Sequence, residues 1–173
     1  MYRLFMLLCL TLVVLLVGCA SPEGPVNRLE KANVLPLDLD DSYQIRKILK
    51  SVYDPSIPAP PTQSEPLLFE RTRRTWGAID STEIAKRYGT YFSFFWRNAK
   101  RSDVTVRLEY RQAALGNYVM AQERSYTDVQ GSHKSTFEVT GDDFLESGQV
   151  TSWRVLLIVN GRIVAFKQSF MWR

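Results

Sequence analysis

The chain has very little cysteine and histidine, and this limits the chemistry it can carry. Its 173 residues include two cysteines, Cys9 and Cys19, and one histidine, His133. Zinc sites usually need several cysteine or histidine ligands, so we expect none here. A histidine-activated nucleophile would have to be Ser132, but adjacent residues of an extended segment point to opposite faces. We therefore expect His133 to be a solvent-exposed turn residue without a catalytic role.

Other catalytic and metal-binding patterns are also missing. Two acidic groups could supply oxygen ligands for calcium, but neither has the glycine and the terminal glutamate of an EF-hand loop. These groups are Asp38, Asp40 and Asp41, and Asp142, Asp143 and Glu146. Glu109 and Glu123 alternate with apolar residues and are expected to point outward from strands. The sequence therefore predicts no enzyme, no metal and no cofactor.

Proline is absent from the second part of the chain. All eight prolines lie between Pro22 and Pro66. Proline removes a backbone donor and is excluded from central strands. This asymmetry predicts a domain over residues 67–173. The preceding residues 19–66 are expected to form a proline-rich linker that holds the domain away from a membrane.

The first residues have the layout of an export signal. Arg3 is followed by an apolar run that ends in Leu16, Val17, Gly18 and Cys19. A helix over residues 4–17 would be roughly 21 Å long at about 1.5 Å per residue. That is shorter than a hydrocarbon core of about 30 Å, so we expect a cleaved signal rather than an anchor helix. Simple secretion and a short uncleaved anchor are the alternatives.

The residues Leu16-Val17-Gly18-Cys19 resemble the lipobox of bacterial lipoproteins. This resemblance covers residues 1–19 only. It implies that a signal peptide of residues 1–18 is removed and that Cys19 is acylated, which gives stable membrane attachment. Ala20 follows the cysteine, and this implies the periplasmic face of the outer membrane. In this part of the cell envelope no nucleic acid partner is expected.

One segment within the linker has helical periodicity. In residues 41–53 the apolar positions are spaced at i, i+3, i+4 and i+7. They are Ile45, Ile48, Leu49 and Val52. The pattern predicts a short amphipathic helix, with Asp40 or Asp41 as its N-cap. A helix of about three turns is marginal alone, so we expect it to dock on the outer face of the domain.

From residue 67 onward the dominant period is two, which predicts strands. The predicted strands are residues 71–78, 90–97, 104–115, 118–129, 134–141, 150–159 and 162–172. Asn160-Gly161 favours a type I′ hairpin turn that pairs Val159 with Arg162. Short helical segments are expected at residues 80–88, after a capping box, and at residues 142–146. About seven antiparallel strands predict an all-β, immunoglobulin-like β-sandwich, by architecture only.

Two surfaces are candidates for binding. The first is an interaction face of residues that lie outside the expected core. It comprises Tyr91, Phe95, Arg97, Leu156, Ile158 and Ile163. The second is a basic patch of Arg71, Arg73 and Arg74, for which charges that protect an edge strand are the simpler interpretation.

Together these patterns predict a lipoprotein anchored in the envelope through Cys19. Its β-sandwich is expected to act as a protein-interaction or assembly module for another envelope protein. The alternative is a module that binds peptidoglycan or another polysaccharide, since sandwiches can stack sugars on exposed aromatic residues. An apolar patch surrounded by charges would favour the first function, and coplanar exposed aromatic rings would favour the second.

Overall fold

The computed structural model describes residues 23–29, 32–54 and 73–172. Within these residues, six strands form one antiparallel sheet that folds back on itself. The strands are β1 (Asn27–Leu29), β2 (Tyr43–Tyr53), β3 (Gly89–Gln112), β4 (Met120–Thr140), β5 (Val150–Val159) and β6 (Arg162–Gln168). The short helices are α1 (Ser81–Ala85) and α2 (Asp142–Ser147), with a 3-10 turn at Ala113–Leu115.

The long strands β3 and β4 run through both layers of a sandwich. The first layer contains β2, residues 89–98 of β3 and residues 131–140 of β4. The second layer contains the rest of β3 and β4 with β1, β5 and β6. Trp153 of the second layer packs edge-on against Phe92 of the first, with ring centroids 5.8 Å apart. The prediction of an all-β antiparallel sandwich is confirmed.

The bend between the layers lies at Asn98, where the pairing of β3 and β4 is interrupted. The buried Asn98 amide donates to the carbonyls of Lys100 at 2.9 Å and Val129 at 2.6 Å. These hydrogen bonds satisfy backbone carbonyls where the bend interrupts the pairing between strands. On β4, Gly131 has a φ of 98°, which glycine adopts without a steric cost. Segments predicted as loops are therefore bends inside continuous strands, and four predicted strands form two long ones.

The core lies between the layers and is rich in aromatic residues. Phe92, Phe94 and Trp96 of β3 are at most 1% exposed, as their alternation predicts. They pack with aliphatic side chains of the second layer, including Leu108. The Trp96 indole donates to the Ser135 hydroxyl at 2.9 Å, so its polar group is satisfied inside the core.

Residues 41–53 do not form the predicted amphipathic helix, because β2 occupies residues 43–53. The pairing of β2 with β3 shifts between Ile45 and Lys47. This bulge brings Ile45 and Ile48 to the same inner face although three positions separate them. The spacing that indicated a helix is thus also the spacing of a bulged strand. Pairing with a sheet supplies the burial that a short isolated helix lacks.

The sheet begins well before the predicted boundary at residue 67. Both β1 and β2 pair with the long strands, so segments assigned to the linker belong to the folded domain. The proline-rich stretch of residues 55–66 lies outside the described residues. Residues 73–75 are helical rather than part of the predicted strand 71–78. The arginine and threonine alternation there offers no apolar face for a sheet to bury.

The local turn predictions are largely confirmed. Asp80 caps α1 by accepting from the Glu83 amide at 2.8 Å, and the Glu83 carboxylate accepts from the Ile79 amide at 2.8 Å. The helical turn predicted after Gly141 is α2. Asn160 has a φ of 49°, as a type I′ turn requires.

The β5–β6 hairpin follows its predicted register only near the turn. Val159 lies opposite Arg162 as predicted. A register shift between Leu157 and Ile158 then changes every later pair. As a result Phe166 pairs with Leu156, lies on the outer side and is 40% exposed.

Candidate functional site

The predicted interaction face is divided between the two outer surfaces of the sandwich. Three of its residues belong to the first layer and three to the second. They are Tyr91, Phe95 and Arg97 on the first layer, and Leu156, Ile158 and Ile163 on the second. The second group is at most 8% exposed, so the six residues do not form one accessible face. A period of two identifies the outer side of a strand, but not the layer to which the strand belongs.

The second group is buried because an N-terminal segment crosses it. We call this segment, residues 33–40, the strap. The Ile163 amide donates to the Pro36 carbonyl at 2.9 Å, and the Asp38 amide donates to the Ile163 carbonyl at 2.9 Å. Leu35 packs on the cluster formed by the three predicted residues. The apolar surplus on this surface is therefore covered by the chain itself.

A network of charged side chains lies on the same surface. Arg107 pairs with Glu123 at 2.5 Å and with Glu109 at 3.6 Å, and it donates to the Asn33 carbonyl of the strap at 2.9 Å. Glu109 also accepts from Arg154 at 2.5 Å. The two glutamates point outward as predicted, yet the Glu109 side chain is only 3% exposed. Buried charges of this kind need their partners, so the network ties the strap to the sheet.

A cleft of about 730 Å³ opens where the strap passes the turn between β5 and β6. Two ion pairs contribute to its border: Asp38 with Arg162 at 3.1 Å, and Asp40 with Lys100 at 2.9 Å. The rest of the lining mixes apolar, aromatic and polar side chains. These are Leu39, Tyr43, Val159 and Val164, together with Asp41 and Asn160. The cleft therefore combines apolar side chains with polar groups and with charges of both signs.

The Asp40 and Lys100 side chains at the border are both charged at neutral pH. The Lys100 ammonium donates to Asp40, and together with the Ser42 amide it lowers the Asp40 pKa to about 2. The same hydrogen bond raises the Lys100 pKa. Beside these charges Leu37 and Leu39 are 59% and 61% exposed. The site therefore presents exposed apolar side chains next to permanent charges.

The sequence interpretation missed this cleft. The sequence pattern places the strap in a linker and indicates only calcium ligands or helix caps for its acidic residues. A signal was nevertheless present, since Leu35, Leu37 and Leu39 alternate with Pro36 and Asp38. Such a period of two is typical of a segment that lies along a sheet edge.

The outer surface of the first layer has a different chemistry. Lys47, Phe95 and Lys134 are direct neighbours across β2, β3 and β4. The Lys47 ammonium lies 5.8 Å from the centre of the Phe95 ring. Arg97 and Leu49 lie on either side of this row. We call these five residues the cationic face; its three cations are exposed.

The predicted basic patch is only partly covered by the described residues. Arg71 lies outside them, and Arg73 and Arg74 belong to the helical residues 73–75. The Arg74 guanidinium lies 3.7 Å from the Tyr91 ring centre and donates to the Ser51 hydroxyl at 2.7 Å. Arg74 thus packs on the first layer. Burial, with the nearby negative charge of Glu138, raises the Tyr91 pKa.

His133 is partly buried rather than exposed in a turn. Its ring packs against Trp96 with centroids 4.6 Å apart, and burial lowers its pKa. Ser132 pairs with the outward Arg97 and lies on the other side of β4, as predicted. In the described part of the chain the His133 Nε2 atom is buried without a hydrogen-bond partner. Ser132 is therefore not placed to use this histidine as a base.

Cys19 and the lipobox-like residues lie outside the described residues. Within residues 23–29, 32–54 and 73–172, no helix is long and apolar enough to cross a membrane. The same residues hold no group of three or more acidic, histidine or cysteine side chains that could bind a metal. Comparisons with protein-family models, curated proteins and solved structures find no match to the chain. Its function must be inferred from the geometry of its own residues.

Proposed function

We propose that this protein is a lipid-anchored protein of the bacterial cell envelope whose β-sandwich is a protein-interaction or assembly module. The partner is another envelope protein, and it docks at the cleft beside the strap. The exposed Leu37 and Leu39 side chains beside two ion pairs are the observation that supports this most. Exposed apolar residues surrounded by charges are typical of protein interfaces.

The cleft also indicates which side chains the partner presents at the interface. An apolar side chain of the partner fits against Leu39, because that residue lines the cleft and is 61% exposed. Burial of apolar surface contributes about 25 cal/mol per Å². The border carries both signs of charge, from the pairs Asp38–Arg162 and Asp40–Lys100. A partner with complementary charges around its apolar residue gains orientation and specificity from them.

The anchor is the second part of the proposal. The lipobox-like residues supply Cys19 for acylation, and two or three acyl chains give stable attachment. Placement on the periplasmic face of the outer membrane follows from the same resemblance and from Ala20. Growth on a labelled fatty acid should label the wild-type protein, whereas Cys19→Ser should lose the label and the membrane association. Equal labelling of both proteins would rule out acylation at this residue.

A polysaccharide-binding module has less support. Sugars stack on flat aromatic rings that are open to solvent. Among the described aromatic residues, Trp76, Tyr118 and Phe170 are more than half exposed, and they lie on three different segments. The ring of Tyr91 is contacted by the Arg74 guanidinium. The three most exposed rings therefore belong to separate segments rather than to one strand face.

Site-specific crosslinking tests the docking site. A photoreactive amino acid is placed at Leu39 and, as a control, at Leu145 of α2, which is 54% exposed. Irradiation of intact cells should give one discrete protein adduct from position 39 and none of the same size from position 145. Mass spectrometry then identifies the captured protein.

Purified components give the quantitative test. Leu39→Glu should weaken binding of the identified partner by about 30-fold, the effect of losing a central interface residue. Leu145→Glu, a matched change at another exposed leucine, should alter affinity by less than about twofold. Identical adducts from both positions, or equal losses in both variants, would place the interface elsewhere.

A further inference from the structure

We infer that the cationic face lies against an anionic membrane surface, next to the point where the lipid anchor joins the fold. This inference rests on the proposed acylation of Cys19 for its biological setting. It is independent of the partner that docks at the cleft. It concerns Lys47, Leu49, Phe95, Arg97 and Lys134, to which the proposed protein interaction assigns no role.

The first support is the short distance between the anchor and the fold. The Glu23 carboxylate accepts from the amide of Thr136 at 3.3 Å and also from its hydroxyl. The guanidinium of Arg124 donates to the Gly24 carbonyl. Glu23 is four residues beyond Cys19. Four residues span at most roughly 14 Å at about 3.5 Å each, so the acyl chains start close to β4.

The second support is the position of the cationic face relative to this attachment. Thr136 belongs to the first layer and lies on the outer side of β4, since it pairs with Ser93. Lys134 is two residues away on the same side of the strand. From Lys134 the row continues across β3 and β2 through Phe95 to Lys47. The cationic face therefore begins beside the tether and extends across the layer.

The third support is charge complementarity. Lys47, Arg97 and Lys134 are exposed cations on one surface. Two carboxylates lie near the β4 end of this surface: Glu23, which bonds Thr136 and lies 3.7 Å from Arg124, and Glu138, which lies opposite Tyr91, where Arg74 packs. Cations near a membrane are attracted to anionic headgroups within a Debye length. The row matches a surface of lipid phosphates, while Phe95 and Leu49 suit its partly apolar boundary.

With the cationic face against the membrane, the cleft lies away from the lipid. In the sheet order β1-β4-β3-β5-β6, the tether enters at the β1 and β4 side. The cleft lies between the strap, β6 and the start of β2, where Tyr43 points into the core rather than towards the cationic face. With the first layer held to the lipid, the cleft is left accessible to a protein in the periplasm.

Lysine footprinting on a tethered protein tests the inference. In a chain of residues 19–173, which retains every described residue, Cys19 is the only thiol and can be coupled to a maleimide lipid in vesicles. The coupling supplies the tether whether or not cells acylate Cys19. A water-soluble acetylating reagent and mass spectrometry then compare Lys47 and Lys134 with the exposed Lys86 and Lys167.

On vesicles with about 30% phosphatidylglycerol, Lys47 and Lys134 should react roughly fivefold more slowly than on phosphatidylcholine vesicles. Lys86 and Lys167 should react alike on both. The protection should disappear at about 1 M salt, where the Debye length is about 3 Å. Arg97→Glu with Lys134→Glu should abolish the protection of Lys47, whereas Lys86→Glu with Lys167→Glu, an equal charge change, should retain it.

Two results would overturn the inference. One is equal reactivity of all four lysines on the anionic vesicles. The other is protection of Lys47 and Lys134 that is the same on neutral and anionic vesicles, since it would then not depend on headgroup charge. Neither result affects the cleft, which is tested by crosslinking at Leu39, or acylation, which is tested by fatty-acid labelling.

Discussion

The two outer surfaces of the sandwich differ in how much of their apolar area the chain itself covers. On the second layer the strap covers Leu156, Ile158 and Ile163, which are at most 8% exposed. On the first layer Leu49 is 47% exposed, and the lysines around it keep the surface charged. The same alternating strand pattern thus gives a second core on one side and an open surface on the other. The difference depends on where the N-terminal segment runs.

Among the substitutions that compare the two surfaces, that of Arg107 should cause the largest loss of stability. Its side chain is 8% exposed and contacts two glutamates and the strap. Arg107→Ala leaves Glu109 with one cationic partner fewer in a buried site. We expect a loss of about 3–5 kcal/mol in the free energy of unfolding, measured by urea denaturation.

An exposed ion pair provides the control for this prediction. Arg101 and Asp128 pair at 2.6 Å, with side chains 64% and 63% exposed. Arg101→Ala should cost less than about 1 kcal/mol, because solvent screens such pairs. If the two alanine variants lose the same stability, the network under the strap is not buried as described.

A matched pair of leucine substitutions compares the surfaces directly. Leu35 of the strap is partly buried on the second layer, and Leu35→Ala should cost about 1–2 kcal/mol. Leu49 is 47% exposed on the first layer, and Leu49→Ala should change stability by less than about 0.5 kcal/mol. Thermal and urea denaturation should rank them in this order, and the reverse order would contradict the covered and open surfaces.

The single histidine should make the inner side of the first layer sensitive to acid. Burial lowers the His133 pKa, so the folded state favours the neutral ring. Stability is therefore complete above the unfolded pKa of about 6.5 and declines as the pH falls below it, towards the folded value. The aromatic rings of Trp96 and Tyr126 face this histidine. His133→Phe should flatten the stability profile between about pH 7.5 and 5, and an unchanged slope would exclude this histidine as its cause.

The smallest change in stability is expected at the end of the strap, since Asp40 is partly exposed to solvent. Its pKa of about 2 depends first on the hydrogen bond from Lys100. The associated stability is present above the unfolded pKa of about 3.9 and is lost as the pH falls through about 2. In Lys100→Ala, an NMR titration of the carboxylate should show the Asp40 pKa returning towards its usual range. A pKa that stays low would show that the Ser42 amide alone is sufficient.

The strand content and the local turns could be read from the sequence because they depend on neighbouring residues. The alternation of Phe92, Phe94 and Trp96 defines an inner face, and Asp80 and Glu83 form a capping pair. These features need only the periods of regular structure and the geometry of a helix end.

The path of the N-terminal segment could not be read in the same way. Ile45 and Ile48 share a face because of one bulge, and a bulge leaves the composition of a strand unchanged. The strap contacts residues such as Ile163 that are more than a hundred positions away. The short apolar alternation of the strap identifies a segment at a sheet edge only when the position of β6 is known. The cleft depends on both the bulge in β2 and the path of the strap, and for this reason it was not predicted.

Hydrogen exchange at Ile163 tests the central claim, that the strap covers the second layer, most directly. Its amide donates to the Pro36 carbonyl, so exchange reports on whether the strap is bound. We predict strong protection of this amide in the wild type and at least roughly tenfold faster exchange in Leu35→Asp. Amides that pair β3 with β5 should keep their protection in that variant. An Ile163 amide that exchanges in the wild type at the rate of an unprotected peptide would contradict the account.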